Sequence, residues 1–354
     1  MIEAFFHAWE RRLAAVTTDR VVRPFEWGLD WIGRAGEAPG GAGDAPAGAG
    51  ETLSEWVAQV MADTDAFYTP EPTTEYTLSA ADANGDRILS FPSALATPHP
   101  NNNTVYCRLV APTRAATDQP RAAVLVLPQW NSDEGGHVGL CRLLALNGMT
   151  ALRLSLPYHD RRMPPELHRA DYIVSANIAR TLQVCRQAVL DARRAIWWLR
   201  DQGYERIGIL GSSLGSCLSL LTTAHEPLVR AQALNHISPY FADVVWRGLS
   251  TEHVRRGLDG HIELDLLRAL WRPISPQWFL DRVRDRRTLL VYARYDLTFP
   301  VDLSEDLVRE FERRSIPHEL AVLHCGHYST GKSPFKFIDG WILTRFLKKA
   351  LLAA

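Results

Sequence analysis

A serine flanked by glycines is the first candidate for chemistry in this chain of 354 residues. Residues 211–216 read Gly-Ser-Ser-Leu-Gly-Ser and lie between two short apolar runs. This pattern is typical of a sharp turn between a strand and a helix, with Ser213 at its tip. A side chain at Gly211 or Gly215 would collide with the neighbouring backbone, so the spacing indicates a nucleophile elbow.

A serine hydroxyl needs a base to become a nucleophile, and the base needs an acid to orient it. Asp296 follows a predicted strand at 288–292, and His327 follows one at 319–323. The carboxyl ends of parallel strands meet at one edge of a sheet. We therefore expect Ser213, Asp296 and His327 to converge as a catalytic triad in the chain order Ser, Asp, His.

Each partner of the serine has a rival nearby in the sequence. Asp302 competes with Asp296, but it follows Pro300 at a helix start and is typical of a helix N-terminal charge. His324 competes with His327 and lies closer to the predicted strand. Gly326 gives the backbone freedom to aim the side chain that follows it, which favours His327.

Catalysis at the serine also needs N–H donors aimed at the developing oxyanion. One donor is expected from Leu214, directly after the nucleophile. The other is expected from the loop after the predicted strand 122–127, at Trp130 or alternatively at Gln129. Pro128 has no N–H to donate.

Apolar runs alternate with amphipathic helices through most of the chain. The run 122–127 is continuous, as in a strand buried on both faces, and a long helix is expected over about 175–200. Further strands are expected at 151–156 and 231–237. The alternation predicts an α/β fold with a doubly wound, mostly parallel sheet.

The segment 240–286 has no strand pattern and is expected to form a helical lid above Ser213. Its large apolar side chains are candidates for substrate binding, together with His159 in the loop after the predicted strand 151–156; a solvated loop is the alternative for that histidine. The candidates in the lid are Trp246, Trp271, Trp278 and Phe279.

The first 75 residues are predicted to be a helical extension preceding a main domain at 76–354. An amphipathic helix is expected over 2–16, with packing on the protein favoured over a membrane surface. A stretch rich in Gly, Ala and Pro at 33–50 is predicted to be a linker.

Composition excludes several functional classes. The net charge of −1 gives no case for nucleic-acid binding, and no apolar stretch is long enough to span a membrane. The five cysteines lack paired spacing and no signal peptide is evident, which predicts a reduced, cytoplasmic protein. Residues 82–86 (Asp-Ala-Asn-Gly-Asp) have the wrong spacing for a calcium loop and are interpreted as a turn, so no metal is expected.

From about residue 85 to residue 354, the chain resembles the α/β-hydrolase superfamily, nearest to its dienelactone-hydrolase-like and bacterial esterase branches. The resemblance rests on the elbow at Ser213, the acid at Asp296, the base at His327 and the insertion before the acid strand. It implies an enzyme that hydrolyses small-molecule carboxylic esters through an acyl-enzyme, without a cofactor. An amidase or peptidase, and a non-catalytic binding protein, are the alternatives. Many members carry His-Gly before the oxyanion residue, where this chain has Pro128-Gln129.

Overall fold

A computed structural model describes residues 1–33, 48–112 and 121–352 of the chain. Most of the predicted linker, at residues 34–47, lies outside these ranges. Within them, no helix is both long and apolar enough to cross a bilayer.

A nine-stranded sheet forms the centre of the described chain. The strands are β1 (Thr77–Leu78), β2 (Arg87–Pro92), β3 (Thr104–Val110), β4 (Ala122–Leu127), β5 (Thr150–Leu154), β6 (Arg206–Ser212), β7 (Val229–Asn235), β8 (Arg287–Ala293) and β9 (Glu319–Leu323). Their spatial order is β1-β2-β3-β5-β4-β6-β7-β8-β9. The first three strands are antiparallel and the other six run parallel, which confirms the predicted mostly parallel sheet.

Helices pack on both faces of this sheet. They are α1 (Ile2–Ala14), α2 (Ala49–Ala62), α3 (Thr64–Tyr68), α4 (Val138–Leu146), α5 (Ile178–Asp201), α6 (Leu214–His225), α7 (Phe241–Arg247), α8 (Glu252–Leu258), α9 (Leu264–Leu270), α10 (Val301–Arg313), α11 (His327–Thr330) and α12 (Phe335–Leu352). Short 3₁₀ turns connect them at Leu29–Trp31, Pro100–Asn103, Asp160–Arg162, Leu249–Thr251, Arg272–Ile274 and Pro276–Val283. The expected helical segment at 240–286 therefore consists of α7 to α9 and three of these turns.

Two hydrophobic cores lie against the sheet. One contains the buried faces of α5, α6 and the 240–286 segment, and it also takes in Leu53 and Tyr68 from the first 75 residues. The other lies beneath α4 and α12. All five cysteines are buried and unpaired.

The four parallel strands β6, β7, β8 and β9 are consecutive neighbours. Each is followed at its carboxyl end by a residue with a hydroxyl or titratable side chain: Ser213, His236, Asp296 and His327 in turn. Strand order thus brings side chains that are more than a hundred residues apart in sequence to one edge of the sheet.

Candidate active site

Ser213 occupies a strained turn between β6 and α6. Its backbone has φ 55° and ψ −123°, outside the regions that ordinary residues favour. A Cβ on Gly211 would lie 2.2 Å from the Gly215 carbonyl oxygen, and one on Gly215 would lie 2.2 Å from that of Leu127. Both glycines are therefore required sterically, as the sequence predicted.

His327 and Asp296 are joined by a hydrogen bond. The His327 Nδ1 lies 2.9 Å from Asp296 Oδ2, and because a carboxylate only accepts, Nδ1 carries the proton. The other carboxylate oxygen accepts the N–H groups of Thr298 and Phe299, each at 2.7 Å. The acid is thereby fixed, and the tautomer leaves His327 Nε2 free to accept a proton.

A second histidine, His236, shares the same carboxylate oxygen. Its Nδ1 lies 3.0 Å from Asp296 Oδ2, and its ring is 4.7 Å from that of His327. Sequence reasoning placed His236 inside a strand at 231–237, but β7 ends at Asn235 and His236 leaves it with φ 58°. Its position directly after the strand between those of Ser213 and Asp296 was the signal that could have identified it.

The pKa values of these groups reflect burial and their mutual contact. Burial alone would raise the pKa of Asp296, but His327 and His236 bring it far below its usual range. Burial alone would lower the pKa of His327, and the carboxylates of Asp296 and Glu10 reverse this to a net increase. Burial dominates at His236, whose pKa is lowered despite its bond to Asp296.

Glu10 is a second residue that sequence reasoning missed. It is fully buried, and its carboxylate accepts the N–H of Tyr328 at 2.7 Å and of Ser329 at 2.9 Å. A Cβ on Gly326 would lie 2.3–2.6 Å from this side chain. The expected role of Gly326 in backbone freedom is wrong, because its φ of −109° suits any residue; the glycine makes space for Glu10.

The loop after β4 supplies unengaged N–H groups beside the elbow. Within the described chain, the backbone N–H groups of Gln129, Trp130 and Leu214 make no hydrogen bond, and all three residues line the cavity that contains Ser213. The Asn131 N–H is unavailable, because it donates to His159 Nε2 at 2.9 Å. Of the loop residues 129–131, Gln129 and Trp130 therefore keep an N–H group that could donate to an oxyanion.

His159 holds this loop and does not face the cavity. It is 1% exposed, and its Nδ1 donates to the Pro157 carbonyl at 2.9 Å, which leaves Nε2 as the acceptor for Asn131. Burial lowers the pKa of His159 to about 4. The expectation that His159 contacts substrate is not supported by this placement, and its role is to position the loop.

No family model and no curated protein matches the sequence. Solved structures do match. The acetyl xylan esterase from Paenibacillus sp. R4 superposes with a TM-score of 0.58 at 15% identity, over 96% of this chain and 99% of that protein. Acetyl xylan esterase 1 from Thermoanaerobacterium sp. JW/SL YS485 gives 0.57 at 14% identity, over 86% and 96%.

The acylaminoacyl peptidase of Pyrococcus horikoshii gives a TM-score of 0.57 at 14% identity, over 81% of this chain and 42% of that protein. The chain thus spans less than half of the peptidase's length. The chain has the α/β-hydrolase fold.

In this α/β-hydrolase fold, one cavity of about 1160 Å³ contains both Ser213 and His327. The 240–286 segment contributes Phe241, Val244 and Val245 of α7 to its wall, and Ser250 and Thr251 of the 3₁₀ turn that follows. The segment therefore lines part of the cavity, through the residues that lie nearest to β7 in the sequence.

The four predicted aromatic substrate contacts lie elsewhere. Trp271 is fully buried and donates its indole N–H to the Ile178 carbonyl, and Phe279 packs beside Tyr68. The guanidinium group of Arg255 lies over the Trp246 ring, 3.5 Å from its centroid, and that of Arg272 lies over the Trp278 ring at 4.1 Å. None of the four is among the residues that line the cavity.

The rivals of the triad residues lie outside the Ser213 cavity. Asp302 is exposed and forms a bidentate pair with Arg247, with both distances 2.8 Å. His324 is exposed at the end of β9. Neither contacts His327 or Asp296, so the arrangement favours the predicted acid and base.

Among the described residues, one group of side chains could hold a metal ion. His236, Asp296 and His327 bring ligand atoms within 4.8 Å of one another. The Nδ1 atoms of both histidines now hydrogen-bond to Asp296 Oδ2. A metal that took these three atoms as ligands would replace the His327–Asp296 hydrogen bond.

Proposed function

We propose that this protein is a serine hydrolase that cleaves carboxylic esters of small molecules through an acyl-enzyme. The observation that carries the proposal is the strained Ser213, which shares a cavity with His327 while Asp296 holds the His327 tautomer. Strain at a single residue costs about 1–3 kcal/mol, which a purely structural turn has no reason to retain.

In the proposed reaction, the Ser213 hydroxyl attacks the ester carbonyl carbon. His327 Nε2 takes the serine proton as a tetrahedral intermediate forms, and returns it to the alcohol oxygen as the bond between that oxygen and the acyl carbon breaks, which leaves an acyl-serine. Water then attacks the acyl carbon by the same proton path and releases the acid. Asp296 stabilises the imidazolium that forms twice in this cycle.

The developing oxyanion would be held by two backbone N–H groups. The Leu214 N–H lies at the start of α6, where the helix dipole adds to its donor strength. The Trp130 N–H is the second donor, with Gln129 as the alternative. Losing one such donor typically costs about 3–4 kcal/mol of transition-state stabilisation.

Two esterases and a peptidase among the similar folds are in keeping with acyl transfer. Since the identities are low, the choice between ester and amide substrates rests on experiment. An amidase or peptidase with the same triad is the second candidate, because the same attack on a carbonyl serves both leaving groups.

A fluorophosphonate probe tests the nucleophile directly. We expect a covalent adduct on Ser213, mapped by peptide mass spectrometry, and none in the Ser213→Ala variant. An adduct on Ser212 or Ser216 would contradict the assignment of the nucleophile, and no adduct on folded protein would favour a binding protein.

The reaction class is tested by comparing p-nitrophenyl acetate with N-acetyl-alanine p-nitroanilide. Ester turnover without detectable anilide turnover supports the esterase, and turnover of the anilide supports the peptidase. The ester assay is repeated with EDTA and with added Zn²⁺. We expect no loss with the chelator, whereas dependence on Zn²⁺ would favour a metal site at His236, Asp296 and His327.

A further inference from the structure

The cavity that contains Ser213 continues into a groove between α4 and α12. Leu140 and Leu143 of α4 line one side, and Phe337, Gly340 and Trp341 of α12 line the other. The residues of α12 recur at spacings of three and four, which places them on one stripe of the helix. The groove is thus built by two helices on the face of the sheet opposite α5.

Two glycines lie along the groove. Gly139 is exposed, and a Cβ there would meet no atom within 4 Å. Gly340 is buried, and a Cβ there would lie 3.4 Å from a methyl group of Leu143, so this glycine lets α4 and α12 approach closely at the floor of the groove. Neither glycine has a positive φ, so backbone conformation does not require them.

Apolar side chains remain exposed at the outer end of the groove. Phe337 is 66% exposed and Trp341 is 57% exposed, although both lie on a helix whose opposite face is well buried. Exposed neighbouring apolar groups of this size commonly mark a binding surface. Their continuity with the Ser213 cavity connects this surface to the proposed reaction.

The polar groups where the groove meets the cavity carry little charge. His137 donates or accepts a hydrogen bond with Ser212 at 2.9 Å, and burial lowers the pKa of His137 to about 4. Asp339 accepts from the Asn235 amide at 2.9 Å, and burial raises the pKa of Asp339 to about 7. The exposed side chains of Lys336, Arg345 and Lys348 also line the outer end, whereas the buried side chains at this junction carry little charge, which suits a hydrocarbon chain better than a polar one.

We propose that the groove between α4 and α12 binds the hydrocarbon chain of a long-chain acyl ester whose carbonyl lies at Ser213. The inference rests on the proposed ester hydrolysis and names the substrate class for that site. Removing each methylene group from water favours binding by about fourfold, so a chain that lies along the groove gains affinity with length.

Gly139→Phe places a large side chain beside the groove, at a position where a Cβ would meet no atom within 4 Å, and provides the main test. We expect kcat/KM for p-nitrophenyl dodecanoate to fall by about tenfold or more, a loss equivalent to two or three methylene contacts, while p-nitrophenyl acetate changes by less than about twofold. Leu146→Phe is the matched control on α4, because Leu146 is exposed and does not line the cavity, and it should leave both esters unchanged. Equal rates for dodecanoate in Gly139→Phe and wild-type protein would overturn the groove assignment.

Trp341→Ala provides a second variant that removes no buried side chain. It should lower the dodecanoate rate selectively, whereas Trp278→Ala, which removes an exposed tryptophan outside the groove, should not. An equal rate of dodecanoate hydrolysis in the two variants would contradict the proposal.

Binding of dodecanoic acid by isothermal titration calorimetry separates the groove from the chemistry. If no ester is turned over but the acid binds wild-type protein and not Gly139→Phe, the groove stands and the proposed hydrolysis fails. If acetate is hydrolysed but the acid binds both proteins equally, the hydrolysis stands and the groove assignment fails.

Discussion

The two sides of the candidate site place imidazole in opposite electrostatic environments. On one side, Asp296 and Glu10 outweigh burial and raise the pKa of His327. On the other side, burial lowers the pKa of His159 to about 4, and the nearby Arg153 adds to the effect. Imidazole is thus suited to accept a proton at His327 and to remain a neutral hydrogen-bond acceptor at His159.

The difference teaches what each side of the site must do. In the proposed reaction His327 gains a proton, so negative charge next to it stabilises the imidazolium that develops. The loop at 128–131 would only have to keep its N–H groups in place, and a neutral His159 holds the Asn131 N–H without introducing a charge near the proposed oxyanion site. Glu10 and His159 are both distant in sequence from the backbone N–H groups that they accept.

Replacing Asp296 by Asn removes the carboxylate next to His327 and should have the largest effect on kcat. The amide cannot stabilise an imidazolium and favours the wrong tautomer of His327, so kcat should fall by about 10⁴-fold. The measurement is steady-state hydrolysis of p-nitrophenyl acetate, with circular dichroism to verify folding.

Asp302→Asn is the matched control for this substitution, because Asp302 lies a few residues away and pairs only with the exposed Arg247. Its kcat should equal that of the wild-type protein. A comparable loss in both variants would remove Asp296 from the proposed triad.

Topology explains why the placement of the three proposed triad residues at one sheet edge could be predicted from sequence. Ser213, Asp296 and His327 each follow a strand, and the strands β6, β8 and β9 are parallel members of one sheet. Reading where strands end was therefore sufficient to bring the three residues to one edge, without knowledge of side-chain packing.

Pairwise packing explains what could not be predicted. Glu10 meets the residues after His327 across more than three hundred positions of sequence, and no periodicity reports such a contact. For the same reason, the sequence could not show that the four aromatic residues chosen from the 240–286 segment lie outside the cavity wall. An apolar pattern shows that Trp271 will be buried, but it does not distinguish a hydrophobic core from a cavity wall.

Replacing His159 by Phe tests the neutral side and should have an intermediate effect. The aromatic ring keeps the buried volume but cannot accept the Asn131 N–H, so the loop loses its fixed position. We expect kcat to fall by roughly tenfold to a hundredfold, less than the full loss of an oxyanion donor. The pH dependence should keep its wild-type midpoint, because a group with a pKa of about 4 is already neutral where His327 titrates.

His159→Gln serves as the conservative counterpart, since its amide oxygen can accept the same hydrogen bond. It should retain more activity than the Phe variant. If both variants instead shifted the midpoint of the pH profile, His159 would act through charge and the contrast between the two sides would be lost.

Replacing Glu10 by Gln gives the smallest expected change in rate and the most informative change in pH dependence. Ester hydrolysis should require neutral His327, so activity falls as pH decreases through the pKa of that group. The Glu10 carboxylate favours the protonated imidazole and holds this pKa up. Its removal lowers the pKa, so the acidic limb of kcat/KM should move to lower pH. At the alkaline plateau, kcat should fall by about tenfold, equivalent to about 1.4 kcal/mol, because two hydrogen bonds that fix Tyr328 and Ser329 are weakened.

Glu3→Gln controls for the helix itself, because Glu3 lies on α1 like Glu10 but is exposed. Profiles measured from about pH 5 to pH 9 bracket the titration of a histidine and should coincide for Glu3→Gln and the wild-type protein. A lower plateau in Glu10→Gln with an unmoved acidic limb would mean that Glu10 only packs α1 against the body. A limb that moved to higher pH would contradict the sign of the electrostatic effect. The acidic limb, and not the rate alone, therefore decides whether the N-terminal helix takes part in tuning the base.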